Sequence, residues 1–386
     1  MMHAALLFVV PALLFSIVIP DEASNAEPCA DGPMKGFLDE ARLDIKSLFQ
    51  GGRFPNIVVT TEGTVLATWG HGEIRARRSE DGGETWSQDI SIAEKGIHGG
   101  GTTVDEGSGH IFVFVEAEHP PAPLTVYRSG DDGKTWEVVN ATVSPDNSGK
   151  APSMHMNEHG VTLRNGKHRG RLIRASRNYG EGNRPKSLFP THYTNAVYSD
   201  DHGKSWTASA PFSEFGTGEA AIVELSDGRL YYNSRRHWAP EGKSPLRRWT
   251  AWSEDGGATW SDATICEALP DGPQDTTYGC MGGLVRLPVE GQDILVYSNC
   301  DSTQGRKRGT VWASFDGGNT WPIKRLVHEG SFAYSSLTAG RPGTPSEGVI
   351  YLHFESEGSK VARFNLSWIL EGESTGDGDV PASIRR

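Results

Sequence analysis

Two patterns in the chain have residue types suited to metal chemistry. His155 and His159 stand four apart in Met154-His155-Met156-Asn157-Glu158-His159, a spacing that brings both imidazoles to one ion only if the run is helical. The β-rich context argues against a helix, and no metal is expected there. The second pattern is a repeated acidic turn whose aspartates are Asp81, Asp131, Asp201, Asp255 and Asp316. Its spacing is faintly that of a calcium loop, but no copy has the terminal bidentate glutamate such a loop needs. Cys29, Cys266, Cys280 and Cys300 lack paired C-x-x-C spacing, which argues against a cysteine zinc site, and four are too few for a disulfide scaffold. In an oxidising compartment Cys280 has Cys266 and Cys300 as pairing candidates. Buried free thiols fit the sequence equally well.

The acidic turns belong to a larger repeat, Ser-x-Asp-x-Gly-x-Thr/Ser-Trp, which begins at Ser79, Ser129, Ser199, Ser253 and Ser314 and ends at Trp86, Trp136, Trp206, Trp260 and Trp321. Successive starts lie 50, 70, 54 and 61 residues apart, about the length of a four-stranded blade. Before the copies run β-rich stretches such as Leu124-Thr125-Val126-Tyr127 and Thr310-Val311-Trp312-Ala313. The repeat is therefore the turn of a hairpin. Its aspartate accepts backbone N–H groups, its glycine takes φ > 0, and its tryptophan packs back between neighbouring sheets. These are structural residues. From Arg53 to Leu366 the spacing allows five or six units, so arithmetic leaves the blade number open.

The repeats resemble the Asp-box repeats of sialidases, and the segments between them resemble that family's active-site motifs in order and spacing over roughly residues 53 to 370. Arg53-Phe54-Pro55 is similar to the Arg-x-Pro motif that opens the domain. Gly218-Glu219, followed by Asn233-Ser234-Arg235, is similar to the central glutamate and second arginine. Arg306 matches the third arginine, and Ala333-Tyr334-Ser335-Ser336-Leu337 the segment of the tyrosine nucleophile. The resemblance implies an all-β, six-bladed β-propeller with its site at one end of the central channel. It implies an exo-α-sialidase-like retaining glycosidase that releases terminal sialic or related nonulosonic acid. Such a set suits a sugar with a carboxylate at its anomeric carbon. Three planar guanidiniums, Arg53, Arg235 and Arg306, would hold that carboxylate, and a neutral phenol, Tyr334, activated by Glu219, avoids the repulsion a carboxylate nucleophile would meet.

One family feature is missing. Sialidases place an acid/base aspartate on a loop between the Arg-x-Pro strand and the first repeat, but here that loop is Trp69-Gly70-His71-Gly72-Glu73-Ile74-Arg75 and contains no aspartate. His71 and Glu73 are the substitute proton donors at hand, and His98 in Ile97-His98-Gly99-Gly100-Gly101 is a more distant one. Imidazole donates a proton near neutral pH, and the glycines let a ligand approach the backbone. Two other readings fit the same residues: a polysaccharide lyase for uronic-acid glycans, with Tyr and His moving protons, and a non-catalytic lectin for acidic sugars.

The bulk numbers agree with this reading. At 386 residues and 36% apolar content, with 47 glycines, 22 prolines and 11 tryptophans, the chain suits one large domain of short strands and tight turns. A formal net charge of -12 argues against nucleic acid, while a sialylated or other acidic glycan remains compatible through local arginines. An apolar run from Ala4 to Pro20 with Ser24-Asn25-Ala26 behind it reads as a signal peptide, residues 1–26, cleaved after Ala26, although the start carries no Lys or Arg; an uncleaved membrane anchor is the alternative. The expected organisation continues with an N-terminal segment at 27–49, a propeller at 50–371 and a flexible tail at 372–386. A secreted or periplasmic monomer with no cofactor, no metal and no stable membrane partner is expected.

Overall fold

The computed structural model describes residues 30–240, 246–275 and 279–384. The proposed signal peptide and Cys29 lie outside them. Strands fold into six sheets of four or five strands, which stand around a central channel as the blades of a β-propeller. Blade 1 consists of Pro55–Val59, Val65–Trp69, Ile74–Ser79 and Ile90–Ala93, and blade 4 of Thr217–Glu224, Leu230–Arg236, Arg247–Ser253 and Thr264–Pro270. Neighbouring strands within each pair antiparallel. Alternation of direction sends the loops before the first strand and after the second to one end of the channel. It sends the turns after the third strand to the other.

All five repeats occupy that other position. Ser79, Ser129, Ser199, Ser253 and Ser314 each end the third strand of a blade, so the repeats build turns at the end away from the candidate site. In the first copy Ser79 Oγ donates to Asp81 Oδ1 at 2.8 Å and accepts from Gly83 N at 2.7 Å, while Asp81 accepts from Thr85 N and Oγ1 at 2.9 and 2.6 Å. Asp201 repeats these bonds with Ser199 and Ser205. The glycine also admits the preceding blade: Gly203 has φ +80, and a Cβ there would stand 2.5 Å from Phe112 Cζ. Trp206, fully buried, packs edge-on against Phe112 and Phe114 of the preceding blade at 6.2 and 5.3 Å. Its truncation to alanine would cost about 3–5 kcal/mol by opening that seam.

Five boxes serve six blades because the sixth closes differently. Its strands Ser335–Ala339, Ile350–Glu355 and Ser359–Phe364 are completed by Leu43–Ser47 from the start of the described chain. The third strand leads instead into a short helix, Leu366–Leu370, capped by Asn365, whose side chain accepts from Trp368 N. This corrects the boundaries expected from sequence. Residues 43–47, placed ahead of the propeller, are its closing strand, and Glu373–Ser374 of the expected tail pairs with Ile323–Ser331 of blade 5. Apolar clusters fill the seams between blades: Ile173 and Ala196 meet Leu230 and Tyr232 between blades 3 and 4, and Leu66 and Ile74 meet Val113 and Val115 between blades 1 and 2. Each fully buried aliphatic side chain contributes roughly 1.5–3 kcal/mol.

The channel end away from the site holds a network of ion pairs around a small cavity. Arg341 and Arg164 share Glu106 at 2.6 and 2.8 Å, and Asp31 joins Arg164 to Arg286 at 3.1 and 2.8 Å. Midway, Glu158 accepts from Asn56 Nδ2, Ser336 Oγ and Leu337 N, which ties blades 1 and 6 across the axis. Among the described residues no helix is long and apolar enough to cross a membrane.

Candidate active site

At the open end lies a cavity of about 620 Å³, and Arg53, Glu219, Arg235, Arg306, Tyr334 and His71 all line it. Each comes from a position that strand alternation sends to this end. Arg53 precedes the first strand of blade 1 and Tyr334 that of blade 6. Glu219 opens the first strand of blade 4 and Arg235 nears the end of its second, while Arg306 precedes the third strand of blade 5.

Tyr334 Oη donates to Glu219 Oε1 at 2.9 Å. Burial pushes the phenol well above its ordinary value, and the neighbouring Glu219 anion adds to the rise, so the resting group is neutral. Burial alone would raise Glu219, but Arg235 and Arg177 outweigh it and hold the carboxyl below its ordinary range. Arg235 Nη1 donates to Glu219 Oε2 at 2.5 Å, and Arg177 Nη1 lies 3.9 Å from Oε1. The pair is thus a charged carboxylate facing a protonated phenol, the polarity a general base and its substrate proton require.

Arg53 and Arg306 place their guanidinium carbons 5.0 and 5.1 Å from the Tyr334 ring centroid, so the arginines converge on the phenol. Arg53 is gripped from behind by Glu355, Nε to Oε1 and Nη2 to Oε2, both at 3.1 Å. Arg306 Nη2 donates to Gly279 O at 2.8 Å. Burial opposes the charge of both arginines, yet their surroundings raise them above the ordinary value, Glu355 chiefly for Arg53. Phe54 between Arg53 and Pro55 has φ +77, a left-handed conformation costing about 1–3 kcal/mol for a bulky residue. Glu355 holds it there by accepting from Phe54 N at 3.1 Å, and the ring stacks 6.2 Å from Tyr334.

Glu355, behind Arg53, was not foreseen from sequence, nor were the cavity-lining Arg177, His119, Tyr179 and His237. The available signal was charge in apolar strands: Glu355 ends Ile-Tyr-Leu-His-Phe-Glu, and Arg177 lies in the wholly buried strand Leu172–Asn178. A sequence glycine marks the same contact, since a Cβ on Gly218 would sit 2.9 Å from the Arg177 guanidinium carbon. The strand bulges there, with a register shift between Thr217 and Ala220, and the bulge re-aims Glu219.

The other expected residues divide. His71 is exposed at the rim, 5.6 Å from the Phe54 ring. Glu73 is exposed and does not line the cavity; it ends the loop just before the strand Ile74–Ser79. His98 is buried beneath the site, bonded through Nε2 to Thr68 Oγ1 and through Nδ1 to Gly100 N, and burial pulls it down to about 3. His155 lines the cavity while His159 contacts Gly160 O and Leu337 O, so the two do not share a site. No metal-binding cluster occurs among the described residues. Cys280 and Cys300 are buried free thiols with sulfurs 3.8 Å apart, and Cys266 is also free.

A chain of four imidazoles and one phenol from blades 2, 3 and 4 runs along one side of the cavity, all but His192 in its lining. His155 meets His119 at 4.7 Å, His119 meets Tyr179 at 6.1 Å, Tyr179 meets His192 at 5.1 Å and His192 meets His237 at 5.2 Å. Burial lowers His155 and His237 well below the imidazole range and His192 to about 4, leaving these rings neutral near pH 7.

Comparison with known proteins agrees with this geometry. Residues 160–345 match the BNR repeat-like domain. A sialidase of Micromonospora viridifaciens is 32% identical over 361 residues, covering 83% of this chain and 52% of the relative; one of Bacteroides fragilis is 27% identical over 342 residues, covering 74% and 57%. The chain thus spans between half and three fifths of the length of these relatives. Among solved structures, Hadza microbial sialidase Hz136 superposes with a TM-score of 0.66 at 24% identity, covering 83% of this chain and 67% of that one. The intramolecular trans-sialidase of Ruminococcus gnavus gives 0.62 at 17%, covering 84% and 98%. Repeats, blades and relatives together place this chain in the sialidase superfamily, with BNR repeats as its turns.

Proposed function

We propose that the protein is an exo-α-sialidase-like retaining glycoside hydrolase that releases terminal sialic or another nonulosonic acid from glycoconjugates. The observation that carries this reading is the Tyr334–Glu219 hydrogen bond at 2.9 Å with the Arg53 and Arg306 guanidinium carbons 5.0 and 5.1 Å from the phenol ring centroid. The acid sugar's carboxylate lies among Arg53, Arg235 and Arg306. Glu219 takes the Tyr334 proton as Oη attacks the anomeric carbon, and the bond to the leaving oxygen breaks as that oxygen receives a proton. The glycosyl–tyrosine bond is then cleaved by water, Glu219 returns its proton to the phenol, and two displacements retain configuration.

The leaving-group proton is assigned to His71, the imidazole on the shortened blade 1 loop that faces the cavity. In the second step the neutral ring takes a proton from the attacking water. Glu73 does not serve, being outside the cavity lining. Secretion to an oxidising or periplasmic space, and action as a monomer, complete the proposal.

Product analysis tests it. A free nine-carbon acid, first released as the anomer of the substrate linkage, is expected from a sialoside. The imidazole wall gives the lyase reading its one structural support, and an unsaturated uronate absorbing in the near ultraviolet from a uronic-acid glycan would replace the hydrolase. Binding of a sialoside without turnover would leave a lectin.

A further inference from the structure

The acid-sugar reading of the cavity leaves positive charge unanswered. Five guanidiniums line it, Arg177 and Arg184 besides the three of the clamp, while Glu118 and Glu219 line it and Glu355 stands behind Arg53. Three carboxylates against five arginines leave two positive charges among the described residues, and the carboxylate of one acid sugar answers only one.

The surplus is localised. Arg53, Arg235 and Arg177 have carboxylates within 4 Å, and Arg306 sits over the Tyr334 ring in the depth of the site. Arg184 differs. It is exposed and forms no salt bridge among the described residues, on the loop between the strands Leu172–Asn178 and Tyr193–Ser199 of blade 3. The loop is tied to the neighbouring blade 2 hairpin and to its own base. Asn183 Nδ2 donates to Pro120 O at 3.0 Å and lies 2.6 Å from His119 Nδ1 on the blade 2 hairpin, and Gly182 O contacts His192 Nε2 at 2.8 Å. Arg184 is therefore a cation on an anchored rim with no carboxylate within 4 Å among the described residues, although Glu118 lines the same cavity. Because Tyr334 attacks from the buried end, the leaving group departs in line toward the exposed mouth, the side where Arg184, Asn183 and His119 stand.

We propose that Arg184 reads the sugar on the leaving side of the scissile bond, and that this sugar is itself anionic, carrying a carboxylate or a sulfate. A guanidinium suits either group through paired N–H donors. The substrate class becomes an acid sugar linked to a second charged sugar rather than to a neutral glycan.

Binding tests this without turnover, in the full-length Tyr334→Phe protein, with three ligands: a sialic acid linked to lactose, to a second sialic acid, and to a sulfated galactose. With Arg184 present, one or both anionic ligands are expected to bind about five- to tenfold more tightly than the lactose one at low salt. Arg184→Gln should abolish that preference while leaving lactose-linked binding unchanged. A gain for only one of the anionic ligands identifies carboxylate or sulfate as the group read. Equal affinity for all three, or a preference that survives Arg184→Gln, overturns the inference and leaves the hydrolase reading standing. If the lactose ligand is neither bound here nor cleaved by the native protein, the acid-sugar reading falls, and this inference with it.

Discussion

The Tyr334 hydroxyl meets Glu219 across the channel at 2.9 Å although 115 residues separate the two in sequence. Blade 6 supplies one and blade 4 the other, so the contact exists only once the ring of blades has closed. Replacing Tyr334 with Phe removes the attacking oxygen and should lower kcat by at least about 10³-fold with little change in melting temperature. Glu219→Gln should also slow turnover, by about 10²- to 10⁴-fold. Steady-state kinetics on an aryl sialoside checks both, and near-native rates in Tyr334→Phe would eliminate the phenol as nucleophile.

Glu355 touches no substrate in this mechanism and positions Arg53. Glu355→Gln keeps the shape but removes the charge opposite the guanidinium, so binding should weaken more than chemistry. The expected result is a KM raised about tenfold with kcat within about threefold of the native value. A fall confined to kcat would show that Glu355 acts otherwise.

His71 makes a prediction about leaving groups. A phenolate with a low pKa departs with little acid help, whereas a sugar alkoxide does not. His71→Ala should therefore damage hydrolysis of a natural sialoside at least about tenfold more than that of an activated aryl one, and Glu73→Gln should leave both near native. Equal losses on both substrates in His71→Ala would remove it from the acid role.

Stability should respond to pH through Glu116. Burial raises its carboxyl from 4.5 to about 7, although it accepts from Met154 N and Ser153 Oγ, both at 2.9 Å. The folded value lies above the unfolded one, so its contribution is fully present below pH 4.5 and is lost as pH rises through about 7. Ionisation would cost up to about 3 kcal/mol. Thermal melts between pH 5 and 8 should show Glu116→Gln losing less stability with rising pH than the native chain. Parallel curves would mean that Glu116 does not titrate in this range.

Activity at the acid end follows Glu219. Arg235 and Arg177 hold its carboxyl below the ordinary range despite burial, so the base stays ionised down to pH values below 4.5. The acid limb of kcat/KM assigned to Glu219 should lie below that pH, and a limb near 6 would point to another base.

What the sequence determined by itself is what local chemistry encodes. A Ser-x-Asp-x-Gly-x-Thr/Ser-Trp run satisfies its own backbone donors, so each turn was legible wherever it fell, and the β-rich stretches before it followed. The five motif residues Arg53, Glu219, Arg235, Arg306 and Tyr334 were legible only because together they resemble a known family, and one cavity receives all five. Tertiary structure decided the rest. Leu43–Ser47 becomes a blade strand because Ser359–Phe364 presents an open edge to it, a partner more than 300 residues away. Glu355 looks like the polar end of an apolar strand until blade 1 brings Arg53 against it. Glu73 and His71 share one short exposed loop, but only His71 lines the cavity, a difference set by where the neighbouring blades stand. Local bonds can be read from neighbouring residues; which side chains share a pocket depends on the order and direction in which six sheets pack around one axis.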